Sequence, residues 1–282
     1  MCGTCGCSDA VHEDAEESGT RRGREHHHDV LHPSEHEVAH VHNHHLHAHD
    51  EDHAHGARES STEVRVLDVE RRILARNDHL AGHNRVWLRA HRVLMLNLVS
   101  SPGSGKTTLL EKTIRAMGER VPIRVIEGDQ ATEADAARIR LAGAPAVQVN
   151  TGTGCHLDAS MVARALRDLS VPDSSLLFVE NVGNLVCPAL FDLGEYGKVL
   201  VTSVTEGDDK PIKYPHMFRA ARLLILNKID LLPYVPFEVD RFVANAKQVN
   251  PRVEVLFASA TRGDGLSDWY QWLEQRLESP EA

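Results

Sequence analysis

Apolar positions along this chain follow two rhythms. Short unbroken runs predict strands buried on both faces, and stripes repeating every three or four residues predict helices between them. The run at 93–99 ends at Ser100, a turn-forming stretch follows over 101–105, and a helical pattern opens at Lys106. Further strands are predicted over 123–127, 146–149, 176–180, 198–204, 223–226 and 253–257, with helices over 132–141, 157–169 and 266–277. Ahead of the first strand, Val64, Leu67, Ile73 and Leu74 form one partial stripe, with Ser61-Thr62-Glu63 as its cap. Leu80, Val86, Trp87 and Leu88 form a second over 77–91. Two helices packed beside the main domain are therefore expected, with His79, His83 and His91 as surface residues. The stretch 211–215, bounded by prolines, reads as an irregular connection. Strand and helix in alternation predict an α/β fold, with a mainly parallel sheet, helices on both faces and ligands at the carboxyl ends of the strands.

The pattern lapses before residue 60, and composition explains why. Residues 1–60 hold 13 Asp/Glu against 4 Arg/Lys and 14 of the 19 histidines, with few aromatic or long apolar side chains. Such a segment cannot bury enough apolar area to offset chain entropy, so a disordered tail is expected. It accounts for −9 of the net charge of −10, and the other 222 residues stand at −1. No basic footprint for nucleic acid remains, and no run is long and apolar enough to span a bilayer or serve as a secretory leader. Five cysteines, three of them within the first seven residues, do not form a disulfide framework, and a cytoplasmic location is expected. The division is a metal-binding Cys/His-rich segment over 1–60 and a nucleotide-binding domain with a helical lead-in over 61–282.

The chemistry of that domain is concentrated at strand ends. Strand, Ser100-Ser101-Pro102-Gly103-Ser104-Gly105-Lys106-Thr107-Thr108, then helix is the order of a P-loop, with Ser100 at the position usually held by its first glycine. Gly103 and Gly105 let successive backbone N–H groups curl inward around phosphate oxygens, and the helix N-terminus adds positive potential. Lys106 is placed to reach the β- and γ-phosphates, and Thr107 to ligate Mg²⁺. Asn227-Lys228-Ile229-Asp230, directly after a strand, matches the N-K-x-D signature of guanine recognition. There Asp230 accepts from guanine N–H groups that adenine does not present. Ser259-Ala260, after the last strand, is the candidate for a further base-binding loop. Glu180-Asn181-Val182-Gly183 stands where D-x-x-G is usual, and Asp129 is a second carboxylate available to Mg²⁺ directly or through water. No glutamine is placed to orient an attacking water, so slow GTP turnover is expected.

Two further groups suit transition metals. Cys2, Cys5 and Cys7, separated by glycines and close to the chain's amino group, supply S and N donors for Ni(II), Cu(II) or Zn(II). Cys155, His156 and Cys187 lie on the strand-end face of the sheet and make three ligands. That is one short of a closed tetrahedral site, which a two-fold dimer would complete or duplicate. The histidines between 26 and 55 favour the same metals and read as a buffer.

Together these stretches — SSPGSGKTT, EGDQ, NTGTGCH, ENVGNLVCP, TEGDDKP and NKID — resemble the HypB family of hydrogenase maturation GTPases, in the SIMIBI branch of P-loop proteins. The resemblance covers roughly residues 93–277 and the N-terminal cysteines. It implies a GTP-dependent nickel chaperone serving the large subunit of [NiFe] hydrogenase and working with a further nickel-chaperone partner. It also implies a tight nickel site at Cys2, Cys5 and Cys7, and a second nickel or zinc site at Cys155, His156 and Cys187 on the interface of a GTP-favoured homodimer. A urease-type nickel-insertion GTPase and a nickel store are the competing readings.

Overall fold

The computed structural model describes residues 56–129, 134–152 and 154–278, with side chains from residue 68 onward except that of Asp129. Seven strands form one all-parallel sheet in the order β3-β2-β4-β1-β5-β6-β7. They are β1 (Leu94–Ser100), β2 (Ile123–Asp129), β3 (Ala146–Asn150), β4 (Leu176–Glu180), β5 (Gly197–Ser203), β6 (Ala221–Asn227) and β7 (Glu254–Phe257). All of the predicted strands are present, within a few residues of the expected ends.

The apolar runs follow from burial on both sides. On one face Leu94, Leu96 and Leu98 of β1 and Phe178 of β4 pack under α2 (Lys106–Met117), α3 (Ala134–Ala142) and α9 (Leu266–Glu278). On the other, Met95, Ile126, Leu177 and Val179 meet α1 (Gly56–Ala90) and α4 (Ala159–Asp168). Val99, Leu200 and Leu224 meet α7 (Pro215–Ala220) and α8 (Val239–Val249). Alternate residues of each strand thus serve opposite cores, so the runs are mostly apolar, and buried polar exceptions such as Asn97 are hydrogen-bonded.

Three expectations need correction. The two lead-in helices are one continuous 35-residue helix, α1, and Ser61 lies inside it rather than at its cap. The apolar stripe lapses at the predicted junction because the packed face there is partly polar. Asn77, Ala81, Asn84 and Leu88 are buried at helical spacing. Asn77 Nδ2 donates to Asp192 O (2.7 Å) and its Oδ1 accepts from Ala159 N (2.9 Å), while Asn84 Nδ2 donates to Ala159 O (2.9 Å) and Leu193 O (3.0 Å). No proline interrupts the pattern, and satisfied asparagines hold the helix down as leucines would. Second, 211–215 is not irregular: α6 (Lys210–Lys213) and α7 abut there, each with proline in its first turn, where the missing N–H costs nothing. Third, α8 has no counterpart among the predicted elements. The remaining helix is a single turn, α5 (Cys187–Leu190). No described helix is long and apolar enough to cross a membrane.

Candidate nucleotide and metal site

β1 is the central strand and its carboxyl end feeds the 101–105 loop into α2. Gly103 (φ 74°) and Gly105 (φ 101°) both adopt backbone conformations that L side chains resist. At Gly105 a Cβ would also strike the Asn227 amide. The first turn of α2 has no side-chain cap, so its amides face the cavity mouth. Lys106 is buried and donates to Ser100 Oγ (2.7 Å), which gives the serine in the usual glycine position a role in holding the ammonium. A cavity of about 650 Å³ is lined by Pro102 to Thr108, Glu180, Gly183, Asn227, Lys228 and Ala260 among others.

The carboxylates behind the cradle were only partly legible in the sequence. Thr107 Oγ1 donates to Glu180 Oε1 (2.7 Å). Parallel pairing sets Glu127 of β2 beside Glu180 of β4, and Asp135 of α3 completes a group whose carboxylate oxygens lie within 4.8 Å of one another. Glu127 was missed as a site residue; the EGDQ stretch that it opens was the available signal, but only the strand order sets it beside Glu180. Burial, and then the adjacent Glu180, push the Glu127 carboxyl up to about 11. Burial also raises Glu180, with Lys106 opposing the rise. The Oε2 atoms of both glutamates are buried without a hydrogen-bond partner. Crowded, dry and orphaned carboxyl oxygens beside a P-loop threonine fit a hard divalent cation such as Mg²⁺. The side chain of Asp129, the expected Mg²⁺ ligand, lies outside the described residues.

On the base side, Asn227 Nδ2 donates to Ser104 O (2.8 Å) and its Oδ1 accepts from Ala260 N (2.9 Å), tying the P-loop to both base loops. Lys228, at φ 60°, donates from Nζ to Gly103 O (2.7 Å) and spans the cavity rim. Asp230 sits half-buried in the turn after Lys228, and Ser259 is fully buried, accepting at Oγ from Arg262 N (3.1 Å). Neither is part of the cavity lining.

The loops after β3 and β4 bring the second group together. Cys155 Sγ lies 2.8 Å from Cys187 Sγ and 3.6 Å from His156 Nδ1, with all three side chains half-buried and both thiols free. The His156 ring stacks on Phe191 at 3.9 Å between centroids. Burial lowers the His156 pKa and favours the neutral, ligating imidazole, while the hydrogen bond to Cys155 and then burial raise Cys187. Two soft thiols and an imidazole are a donor set for Zn(II), Ni(II) or Cu(I). A residue not singled out as functional joins this group to the phosphate end. Asn181, buried directly after Glu180, accepts at Oδ1 from Leu157 N (3.2 Å) and Val182 N (3.0 Å) and donates to Asn97 Oδ1 (3.2 Å). It fixes the backbone just past His156 to the strand that presents Glu180. Gly183 lets the same loop press on Pro102, where a Cβ would sit 3.1 Å from the ring. Cys2, Cys5, Cys7 and the histidines of 26–55 lie outside the described residues.

A parallel sheet with a P-loop on its central strand, and the two candidate base loops joined to it through Asn227, defines an α/β P-loop nucleotide-binding domain. Its SIMIBI-like character emerges from comparison with known proteins. A family model of the CobW/HypB/UreG nucleotide-binding domain matches residues 94–257. The hydrogenase maturation factor HypB of Escherichia coli K12 is 59% identical over 210 residues, covering 74% of this chain and 72% of that protein. HypB of Azotobacter vinelandii is 56% identical over 215 residues, covering 76% and 71%. Among solved structures, HypB of Archaeoglobus fulgidus superposes with a TM-score of 0.68 at 42% identity, over 72% of this chain and 99% of that one. HypB of Helicobacter pylori, solved in complex with nickel, gives 0.68 at 36% identity over 73% and 96%. The chain belongs to the CobW/HypB/UreG family, on its branch of HypB hydrogenase maturation factors.

Proposed function

We propose that the chain hydrolyses GTP to GDP and phosphate and uses that cycle to deliver nickel during [NiFe] hydrogenase maturation. One observation supports this reading above the others. Glu180, hydrogen-bonded to the P-loop Thr107, and Cys187, in contact with Cys155, are the two ends of one short loop. A change in phosphate state at one end moves a metal ligand at the other, which is order–disorder switching with a ligand attached.

In this reading Gly103 to Thr108 cradle the phosphates, Lys106 neutralises the β- and γ-phosphates, and Asn227, Lys228, Asp230, Ser259 and Ala260 form the guanine side. Asp230 and Ser259 take part only after the base loops close. Thr107 would hold Mg²⁺, with Glu180 and Glu127 as nearby carboxylates and Asp129 as a further one, and the ion would supply charge stabilisation at the phosphates. Nickel is the cargo of Cys155, His156 and Cys187. The exposed Val186 and Leu190 flanking Cys187 favour an isologous, GTP-favoured homodimer across this face. Cys2, Cys5 and Cys7 form the high-affinity nickel site and the histidines within 1–60 the reserve, with zinc as competitor. A nickel-chaperone partner and the hydrogenase large subunit are the downstream proteins, and the chain acts in the cytoplasm.

The test is hydrolysis and maturation together. The purified chain should turn over GTP slowly and ATP not at all. A chain lacking residues 8–60 should still support hydrogenase maturation when nickel is plentiful; loss of maturation there would favour a nickel store instead. A second reading, delivery to urease, is favoured by one relative. The protein of Helicobacter hepaticus, 38% identical over 214 residues, is described as a hydrogenase/urease maturation factor.

A further inference from the structure

α1 presents two faces, and the outward one holds a pair of imidazoles. His79 and His83 sit four residues apart, both exposed, with their Nε2 atoms 3.2 Å from each other and their rings 4.7 Å apart at 68°. The two rings turn the same nitrogen toward each other at hydrogen-bond distance, so both Nε2 atoms face one locus. We propose that His79 and His83 form a chelating site for a borderline-soft divalent transition metal such as Ni(II), separate from the cysteine sites.

The distance supports this. Metal–imidazole bonds of about 2.0–2.1 Å place two cis nitrogens about 2.9 Å apart at a square-planar centre and about 3.3 Å apart at a tetrahedral one. The separation of 3.2 Å falls between these values. Binding takes a bare Nε2 on both rings: the ring that carries hydrogen there shifts it to Nδ1, and each ring turns to face an ion lying off the line between the two nitrogens. Both imidazoles are exposed, so the remaining coordination positions are open to water or to donors on another segment. Histidines at i and i+4 on one helical face are a spacing that metal sites use, because it sets both rings on the same side one turn apart.

The helix itself supplies the rigidity. On the packed face of α1, Asn77 is hydrogen-bonded to Ala159 N and Asp192 O, and Asn84 to Ala159 O and Leu193 O. These bonds bracket His79 and His83 along the helix and fix the backbone that carries them. They also fasten α1 to the two segments that flank the cysteine group, since Ala159 lies three residues after His156 and Asp192 follows the Phe191 that stacks on it. The pair is therefore at a fixed offset from Cys155, His156 and Cys187 along one continuous scaffold. Two ligands with open positions make a site suited to taking up and passing on an ion rather than storing it.

The test uses the full chain and reads each histidine separately. Diethyl pyrocarbonate acylates unligated imidazole nitrogen, and tandem mass spectrometry of the tryptic peptide 77–85 resolves His79 from His83. With rising Ni(II), both should lose reactivity at the same concentration, by at least tenfold. In His79→Ala, nickel should no longer protect His83, because a single exposed imidazole does not chelate. The variant alters an exposed side chain, so a circular dichroism melt within a few degrees of the parent confirms that α1 stays folded. Undiminished reactivity of His79 and His83 at nickel concentrations that protect the histidines of 26–55 would overturn the proposal. So would continued protection of His83 in His79→Ala.

Discussion

The phosphate end and the cysteine loop occupy one edge of the sheet but are built differently. At the phosphate end Lys106, Thr107, Glu127 and Glu180 are all buried, and all four are held by strand or helix backbone on α2, β2 and β4. In the cysteine loop the three ligands are half-buried, the backbone is irregular or a single helical turn, and Val186 and Leu190 beside it are exposed. Charge stabilisation gains from donors fixed before the reaction, whereas metal handover needs ligands that can be rearranged without unfolding a core. In the proposed delivery cycle the first region is the fixed frame and the second the movable part, with Asn181 as the joint.

The largest effect should come from the frame. Lys106→Ala removes the buried ammonium of the cavity lining and should slow GTP turnover by on the order of 10²–10³-fold, measured as phosphate release. Metal binding by the cysteine loop should persist with GDP absent. Next comes the movable part. Cys187→Ala deletes one ligand of three and should weaken nickel binding there by at least the roughly 10–100-fold that loss of an outer-shell partner costs. Its GTP affinity should remain within about twofold of the parent.

The joint should show an intermediate and mixed effect. Asn181→Ala leaves the Leu157 and Val182 amides without their acceptor, at about 1–3 kcal/mol in a denaturant titration. It should also shrink the difference in nickel affinity between nucleotide states. A variant that is destabilised yet keeps the full difference would move the joint elsewhere.

The smallest effect concerns the support behind the loop, where Arg85 binds both oxygens of Asp192 at 2.6–2.7 Å. Burial pushes the Asp192 carboxyl up, but the Arg85 hydrogen bond and the Gly194 N–H outweigh it and hold the pKa below the ordinary carboxylate value. A depressed folded pKa contributes stability above the unfolded value of about 3.9 and loses it as pH falls through the folded one. Each side chain is over a third exposed, so the contribution is at most about 1 kcal/mol. Asp192→Asn should lower Tm at pH 7 by about 2–4 °C and flatten the acid limb of the stability profile below pH 4.

What the sequence discloses divides along the same line. The P-loop, N-K-x-D and the strand runs are local, because a short stretch of chain makes each of them, and they stand where expected. Convergence of Cys155, His156 and Cys187 was inferable because each follows a strand end in a parallel sheet, where all carboxyl ends share one edge. Glu127 was not visible as a partner of Glu180, since β2 and β4 are neighbours only through the crossover order of the sheet. The continuity of α1 was hidden for a different reason. Its buried stripe runs through Asn77 and Asn84, which a hydrophobic pattern counts as surface, and only their partners on distant segments make them core. Asp230 lies in the turn that N-K-x-D implies, but outside the cavity lining.

The central claim is that nucleotide state at the phosphate end sets metal affinity in the cysteine loop. It is tested most directly in the full chain with Cys2, Cys5 and Cys7 each replaced by Ser. The nickel–thiolate charge-transfer absorption then reports Cys155 and Cys187 alone. Nickel titrations would be run with GDP and with a non-hydrolysable GTP analogue, with the oligomeric state followed in parallel. The account predicts at least a tenfold difference in affinity between the two states, accompanied by a change in dimerisation. Identical affinities and an unchanged oligomeric state would contradict it.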